Sequence, residues 1–156
     1  MTQALALEQI LINHGHEVSA MVIGSSDRRE IPTFFRKCTQ APIYPVSSPN
    51  FYFDKKHKSI ALWKTFYKNI LQIPIFLIEI KRIKALVEED TPELIVNFYD
   101  ILGGLFFLMM NPRVKRICIA HQYLAEHQEF PWAQGSVVHR IAFRLNNFIT
   151  SMNCHR

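Results

Sequence analysis

The sequence is poor in cysteine, has no apolar run long enough to cross a membrane, and carries only a small excess of positive charge. Cys38, Cys118 and Cys154 are odd in number and widely spaced, without a zinc-binding pattern, so we expect reduced thiols in a cytosolic protein. The longest uncharged apolar run, Ile101–Met110, has about half of the ~20 residues that a spanning helix needs. We therefore predict no transmembrane segment. The N-terminus has no charged region followed by an apolar one, so we predict no signal peptide. The missing zinc-binding pattern predicts no metal site.

The charge balance is 18 Lys and Arg against 13 Asp and Glu, which gives a formal net charge of +5. This excess favours an anionic partner, such as a phosphate-bearing substrate or a membrane surface. It is too small to indicate a nucleic-acid-binding protein. The length of 156 residues and a hydrophobic content of 49% predict one domain, spanning residues 1–156, with a packed core.

The most informative stretch covers residues 91–123 and predicts a strand, a helix and a second strand: TPELIVNFYD, ILGGLFFLMMNPRV and KRICIAHQY. Nearly continuous apolar runs of this length are typical of buried strands in a parallel sheet. In such sheets, ligands bind outside the carboxyl ends of the strands. Those ends carry Asp100 and the trio His121, Gln122 and Tyr123.

The preceding part of the chain predicts a helix over residues 1–13, a buried strand over 17–24, a short helix over 31–37 and a strand over 42–46. The alternation of strands and helices predicts the α/β class, with a Rossmann-like parallel sheet flanked by helices. A first helix in such a sheet normally follows a strand and a glycine-bearing loop. Neither precedes this helix, so the first strand is expected to be missing.

Residues 58–89 have a helical period with Pro74 inside, which predicts two helices or one kinked helix. Eight of the basic residues lie between Lys55 and Lys84, interleaved with apolar and aromatic residues such as Trp63. Such a stretch either packs its apolar stripe on the sheet, the commoner arrangement, or lies on anionic lipid. Residues 136–150 predict an amphipathic helix with one apolar side: Val137, Ile141, Leu145 and Phe148.

Three segments, MTQALALEQILINHGHEV, PELIVNFYDILGG and CIAHQYL, resemble in order and spacing the amino-terminal half of GT-B glycosyltransferases. The likeness is to a bacterial family 1 and family 28-like group and covers residues 1–148. It implies two Rossmann-like domains that face each other across a cleft, with this chain supplying the acceptor side. The implied reaction moves a sugar from a nucleotide-sugar donor to a cell-envelope or lipid-linked acceptor, without a cofactor.

The family has a glycine-rich loop ending in Gly-His before the first helix, where backbone N–H groups receive phosphate. Thr2 and Gln3 match the positions just after that loop, so they are candidates for substrate binding. The loop's glycines and histidine have no counterparts here, and neither does the donor domain. The resemblance therefore implies a fragment that is truncated at both ends and inactive alone. The cysteines predict a cytoplasmic location, and the basic stretch from Lys55 to Lys84 would allow peripheral contact with the inner face of the membrane.

Within this chain, the catalytic candidates are His121 and Asp100. The imidazole of His121 can hydrogen-bond a sugar hydroxyl or phosphate, or it can be structural. Asp100 can orient an acceptor hydroxyl or act as a base, but capping the following helix is the commoner role of aspartate there. Gln122 and Tyr123 are further candidates for acceptor contacts.

Gly103 and Gly104 either let a ligand approach or simply allow close packing. A second function from a different class stays open, namely a non-catalytic Rossmann-like module. Such a module would bind a small anionic ligand, or a membrane surface through the stretch from Lys55 to Lys84.

Overall fold

The computed structural model describes residues 1–25, 30–50, 52, 61–132 and 137–154. The chain divides into two compact units, Met1–Asp90 (unit 1) and Thr91–Arg156 (unit 2). Helices alternate with short parallel strands, which confirms the α/β class. The described strands form two separate two-stranded sheets, because no ladder of hydrogen bonds joins one pair to the other.

The described residues of unit 1 form four helices and one strand pair. Its elements are α1 (Thr2–Asn13), β1 (Met21–Ser25), α2 (Thr33–Cys38), β2 (Ile43–Ser47), α3 (Leu62–Leu71) and α4 (Ile73–Asp90). β1 and β2 pair in parallel, with Met21 opposite Ile43 and Ser25 opposite Ser47. Each element matches one predicted from the sequence, although β1 starts four residues later than predicted. Pro32 directly precedes α2, where its fixed φ suits a helix start.

Helix α1 packs through an unexpected residue, the carboxylate of Glu8, which is only 4% exposed. Its Oε1 accepts hydrogen bonds from the Thr39 hydroxyl at 2.8 Å and from the backbone N–H groups of Gln40 at 2.9 Å and Ala41 at 3.0 Å. A buried carboxylate is tolerated when donors surround it in this way. Glu8 therefore ties α1 to the turn that precedes β2.

The long helical stretch of unit 1 is two helices, as the position of Pro74 predicts. α3 ends at Leu71, and Pro74 lies in the first turn of α4, where its missing N–H has no partner to lose. The core side of α4 consists of Phe76, Glu79, Ile80 and Ile83. Part of the predicted basic stretch lies outside the described residues: Lys55, Lys56 and Lys58.

Unit 2 contains the predicted strand–helix–strand order. Its elements are β3 (Leu94–Asn97), α5 (Ile101–Met110), β4 (Lys115–Cys118), a 3-10 helix (His121–Glu126) and α6 (Val137–Ser151). β3 and β4 pair in parallel, with Leu94 opposite Lys115 and Asn97 opposite Cys118. The prediction that His121 ends a strand is wrong, because β4 stops at Cys118 and His121 opens the 3-10 helix.

Helix α5 is apolar and forms the core of unit 2 through its buried residues, including Leu102, Phe106 and Phe107. α6 crosses it at Gly104, where a Cβ atom would overlap the carbonyl oxygen of Ile149. At Gly103 a Cβ atom would lie 2.9 Å from the side-chain oxygen of Asn97. Both glycines therefore allow close packing, which is one of the two roles considered for them.

The prediction of three reduced thiols is wrong. Cys118 and Cys154 form a disulfide with their Cα atoms 6.2 Å apart, within the usual range, and Cys38 is free and exposed. The two partners are 36 residues apart and meet because α6 runs back to β4. Their spacing in the sequence carries no sign of this pairing.

Candidate functional site

The predicted binding edge lies at the carboxyl ends of β3 and β4. The ladder continues for one bond beyond the strands, from the Ile119 N–H to the Asn97 carbonyl at 3.0 Å. Because parallel strands end at the same edge of a sheet, the residues that follow them are neighbours. Asp100 follows β3 and His121 follows β4, so unit 2 presents both catalytic candidates at one edge.

Asp100 is the N-cap residue of α5. Its Oδ1 accepts hydrogen bonds from the backbone N–H groups of Leu102 at 2.8 Å and Gly103 at 3.2 Å. These N–H groups have no partner within the helix, and a carboxylate also complements the helix dipole. Any chemical role of Asp100 would therefore be additional to capping.

Asn97, the last residue of β3, is buried and fully paired. Its Nδ2 donates to the carbonyl oxygens of Asp100 at 3.0 Å and Thr150 at 3.1 Å, and its Oδ1 accepts from the Asp100 N–H at 2.9 Å. One amide thus fixes both the turn after β3 and the carboxyl end of α6. Paired buried amides of this kind specify a single arrangement of the elements they join.

Tyr99 has a left-handed backbone conformation, with φ at 61°, which is uncommon for a residue other than glycine. Its hydroxyl donates to Oδ1 of Asn147, which lies in α6. The Nδ2 of Asn147 donates in turn to the Gln122 carbonyl at 3.3 Å and to Oε1 of Glu126 at 2.8 Å. Asn147 therefore connects the turn after β3 with the 3-10 helix after β4.

Tyr123 completes this set of contacts. Its hydroxyl donates to Oγ1 of Thr150 at 3.0 Å, and its ring meets that of Tyr99 edge to face at 5.5 Å between centroids. Thr150 is fully buried and donates to the Asn146 carbonyl at 2.8 Å. Burial raises the pKa of both phenols above the ordinary value, so both are uncharged near neutral pH.

We call these side chains the edge network: Asn97, Tyr99, Tyr123, Asn147 and Thr150. Most of their polar atoms are paired with each other or with backbone groups, and α6 supplies many of the partners. Polar side chains at this edge that remain accessible to a ligand include the exposed His121 and the half-exposed Gln122. The edge network can hold these residues in place, and His121 can bind a hydroxyl or a phosphate.

Thr2 and Gln3, the other substrate-binding candidates, belong to unit 1. Both are exposed in the first turn of α1, and the preceding Met1 provides no side-chain cap. Unit 1 also has a cavity of about 330 Å³ lined in part by Glu8, Glu17 and His16. Two carboxylates disfavour an anionic ligand in that cavity.

Sequence reasoning missed Asn97, Tyr99, Asn147 and Thr150. Asn97 ends an apolar strand, which is a weak signal for a paired amide. Asn147 and Thr150 lie opposite the apolar side of α6, so the pattern alone would place them in solvent. Their hydrogen-bond partners are far away in the sequence, and no pattern in the neighbouring residues predicts those partners.

The described residues lack two features that would point to a function. No helix among them is long and apolar enough to cross a bilayer. No group of three or more His, Cys, Asp or Glu side chains in this part of the chain could hold a metal ion. The chain also matches no protein-family model, and no curated protein or solved structure is significantly similar to it.

Proposed function

We propose that the chain is the acceptor-side part of a GT-B-like glycosyltransferase, which moves a sugar from a nucleotide-sugar donor to a cell-envelope or lipid-linked acceptor. One observation carries the proposal: β3 and β4 pair in parallel, and Asp100 and His121 lie in the segments that follow their carboxyl ends. The carboxyl edge is where open α/β sheets bind ligands. The family resemblance supplies the reaction class.

In this proposal, His121 binds an acceptor hydroxyl or phosphate, and Gln122 adds a second polar contact. Tyr123 contributes its ring, because its hydroxyl is engaged by Thr150. The edge network holds these residues on fixed backbone, which is the kind of support that a binding site needs. Thr2 and Gln3 stay candidates for contacts with the substrate phosphate at the start of α1.

The first experiment measures ligand binding by the 156-residue chain with ligand-detected NMR. The two probes are a water-soluble analogue of a lipid-linked sugar acceptor and a uridine-diphosphate sugar. We expect the acceptor analogue to bind and the nucleotide sugar not to bind, because the donor domain is a separate part of such enzymes. We also expect no sugar transfer by the chain alone.

The His121→Ala variant should weaken binding of the acceptor analogue about tenfold, the value of one hydrogen bond to a polar ligand. His14→Ala, which removes an exposed histidine of unit 1, is the matched control and should bind as the unmodified chain does. Asp100→Asn keeps the helix cap but removes the carboxylate, so it separates capping from a chemical role.

Binding of the nucleotide sugar alone, or equal binding by His121→Ala and His14→Ala, would contradict the proposal. The surrounding gene sequence provides an independent test. A glycine-rich strand and loop encoded upstream, with a second α/β domain downstream, would support the transferase. A gene without either would favour a non-catalytic binding module.

A further inference from the structure

Helix α3 exposes its apolar side. The residues concerned follow the spacing of one helix face and are Trp63 (87% exposed), Phe66 (62%), Tyr67 (62%), Ile70 (43%) and Leu71 (57%). We call them the α3 stripe. A helix on a protein surface normally turns such a stripe to the core. The expectation that this part of the basic stretch packs on the sheet is therefore wrong.

The opposite, polar side of α3 faces the protein. The buried Thr65 accepts at Oγ1 from the Tyr52 N–H at 3.0 Å. Asn69 donates to the Asn50 carbonyl at 3.1 Å and accepts from the Asn50 N–H at 3.2 Å. These bonds fix the rotation of α3 about its axis, so exposure of the α3 stripe is part of the fold.

Both charged residues of α3 are positive. Lys64 and Lys68 are exposed one helical turn apart, and the sequence has no Asp or Glu from Ala61 to Ile78. Exposed apolar residues continue into the start of α4: Ile73, Ile75, Leu77 and Ile78. An exposed apolar surface of this size marks an interaction site with a protein or a membrane.

The composition favours lipid over protein. Trp63 and Tyr67 have amphipathic rings of the kind that settle at the headgroup level of a bilayer. Lysine extends its ammonium to lipid phosphate while its stem covers apolar surface, whereas the cores of protein interfaces are depleted in lysine. The ten residues of α3 span about 15 Å, half of the hydrocarbon thickness, so the helix would lie in the plane of the interface.

We propose that the α3 stripe, with Lys64 and Lys68, docks this protein on an anionic lipid surface. The apolar side chains enter the boundary between headgroups and acyl chains, and the two ammonium groups contact lipid phosphates. This inference rests on unit 1 alone. It holds whether or not the glycosyltransferase proposal for unit 2 is correct.

The test is co-sedimentation with vesicles of phosphatidylcholine, with and without one quarter of phosphatidylglycerol. The unmodified chain should bind the vesicles that contain phosphatidylglycerol, less tightly as salt is raised. Replacing Trp63 and Phe66 together by alanine should lower the partition coefficient at least about tenfold, because two buried apolar side chains are lost. The matched control replaces Ile10 and Leu124, also exposed, by alanine and should bind normally.

A second pair of variants tests the charges. Lys64→Gln with Lys68→Gln should weaken binding to the anionic vesicles about tenfold or more, since each lysine near such a surface contributes about 1 kcal/mol. Lys37→Gln with Lys115→Gln removes the same charge from exposed sites elsewhere and should have a small effect. If α3 docks on the lipid, only loss of the two α3 lysines weakens binding strongly. If the net charge of the protein is what matters, both pairs of substitutions weaken binding equally.

Insertion is measured directly in a Trp132→Phe background, where Trp63 is the remaining tryptophan. Lipids with brominated acyl chains should quench its fluorescence. The proposal is overturned if the unmodified chain ignores anionic vesicles, or if stripe variants and controls bind alike. It is equally overturned if sedimentation shows a dimer that the Trp63 and Phe66 substitutions dissociate. The acceptor experiment uses a soluble ligand, so each proposal can fail without the other.

Discussion

Helices α3 and α6 both direct polar residues inward, but different numbers of hydrogen bonds and packing contacts hold the two helices in place. The large apolar residues that α6 exposes are Val137, Val138, Ile141, Leu145 and Phe148. α3 is held by Thr65 and Asn69, which bond to a short backbone segment at Asn50 and Tyr52. α6 bonds to the end of β3 and to the segments that follow β3 and β4, and its backbone touches α5.

This difference shows that an amphipathic pattern identifies two sides of a helix without deciding which one is buried. The decision depends on whether the polar side finds partners. For α6 the edge network supplies them in number, and the packing at Gly104 adds contact between helices. For α3, the few hydrogen bonds to one segment contribute only modestly to stability. The exposure of its large stripe is therefore the more informative feature.

The largest expected effect comes from Gly104→Ala, which tests the close contact of α6. The new Cβ would overlap the Ile149 carbonyl and lie 2.9 Å from the Cα of Thr150, so the two helices must separate. We expect unit 2 to lose about 3 kcal/mol of its free energy of unfolding, although alanine is otherwise preferred in helices. Urea denaturation followed by Trp132 fluorescence in a Trp63→Phe background measures this loss.

The control for that prediction is Gly103→Ala. Its Cβ would lie 2.9 Å from the side-chain oxygen of Asn97, a milder overlap than the 2.3 Å at Gly104. The loss should therefore be clearly smaller. Equal losses would mean that the contact of Gly104 with α6 is no tighter than the contact of Gly103 with Asn97.

The next effect compares the two helices through matched asparagines. Asn97→Ala leaves the carbonyl of Thr150 and the N–H of Asp100 without their partner in a buried place, so a loss of about 2 to 3 kcal/mol is expected. Asn69→Ala removes two bonds from α3 at a less buried place and should cost about 1 kcal/mol. Urea midpoints measure both, and the reverse order would show that α3 is the more firmly held helix.

The smallest effect concerns alkaline pH. Burial raises the pKa of Tyr99 and Tyr123 in the folded protein above the value of 10.0 for an exposed tyrosine. The unfolded chain therefore loses its phenolic protons first as pH rises, so this contribution to stability is complete below pH 10.0 and is lost above it. Thermal unfolding near neutral pH and above pH 10.0 measures the loss.

Replacing Tyr99 and Tyr123 together by phenylalanine should reduce this alkaline loss. The same variant should be less stable at every pH, because two hydroxyl hydrogen bonds are missing. Tyr67→Phe, at an exposed residue of the α3 stripe, should leave the alkaline loss unchanged. If the double variant retains the full alkaline loss, groups outside the edge network cause it.

The sequence predicts those parts of the fold that depend on local signals. Continuous apolar runs mark β3, α5 and β4, and Pro74 marks the boundary between α3 and α4. The capping role of Asp100 is predictable because aspartate directly before a helix commonly caps it. Each of these signals lies within a few residues of the feature that it predicts.

The sequence does not predict contacts between distant residues. The disulfide of Cys118 and Cys154 joins residues 36 apart, and Glu8 meets its partners more than 30 residues later. A glutamate in a helix normally faces solvent, and only the folded chain shows the donors that surround this one. The orientations of α3 and α6 escaped prediction for the same reason, because their inward partners lie on other elements.

The bond from Asn97 to Thr150 also has a consequence for biosynthesis. Its two partners are 53 residues apart, so β3 leaves the ribosome well before the end of α6. At ordinary translation rates, the delay is roughly 3 to 10 seconds. During that time the apolar β3–α5–β4 segment lacks its last helix, and the exposed apolar surface of a nascent chain in this state favours aggregation.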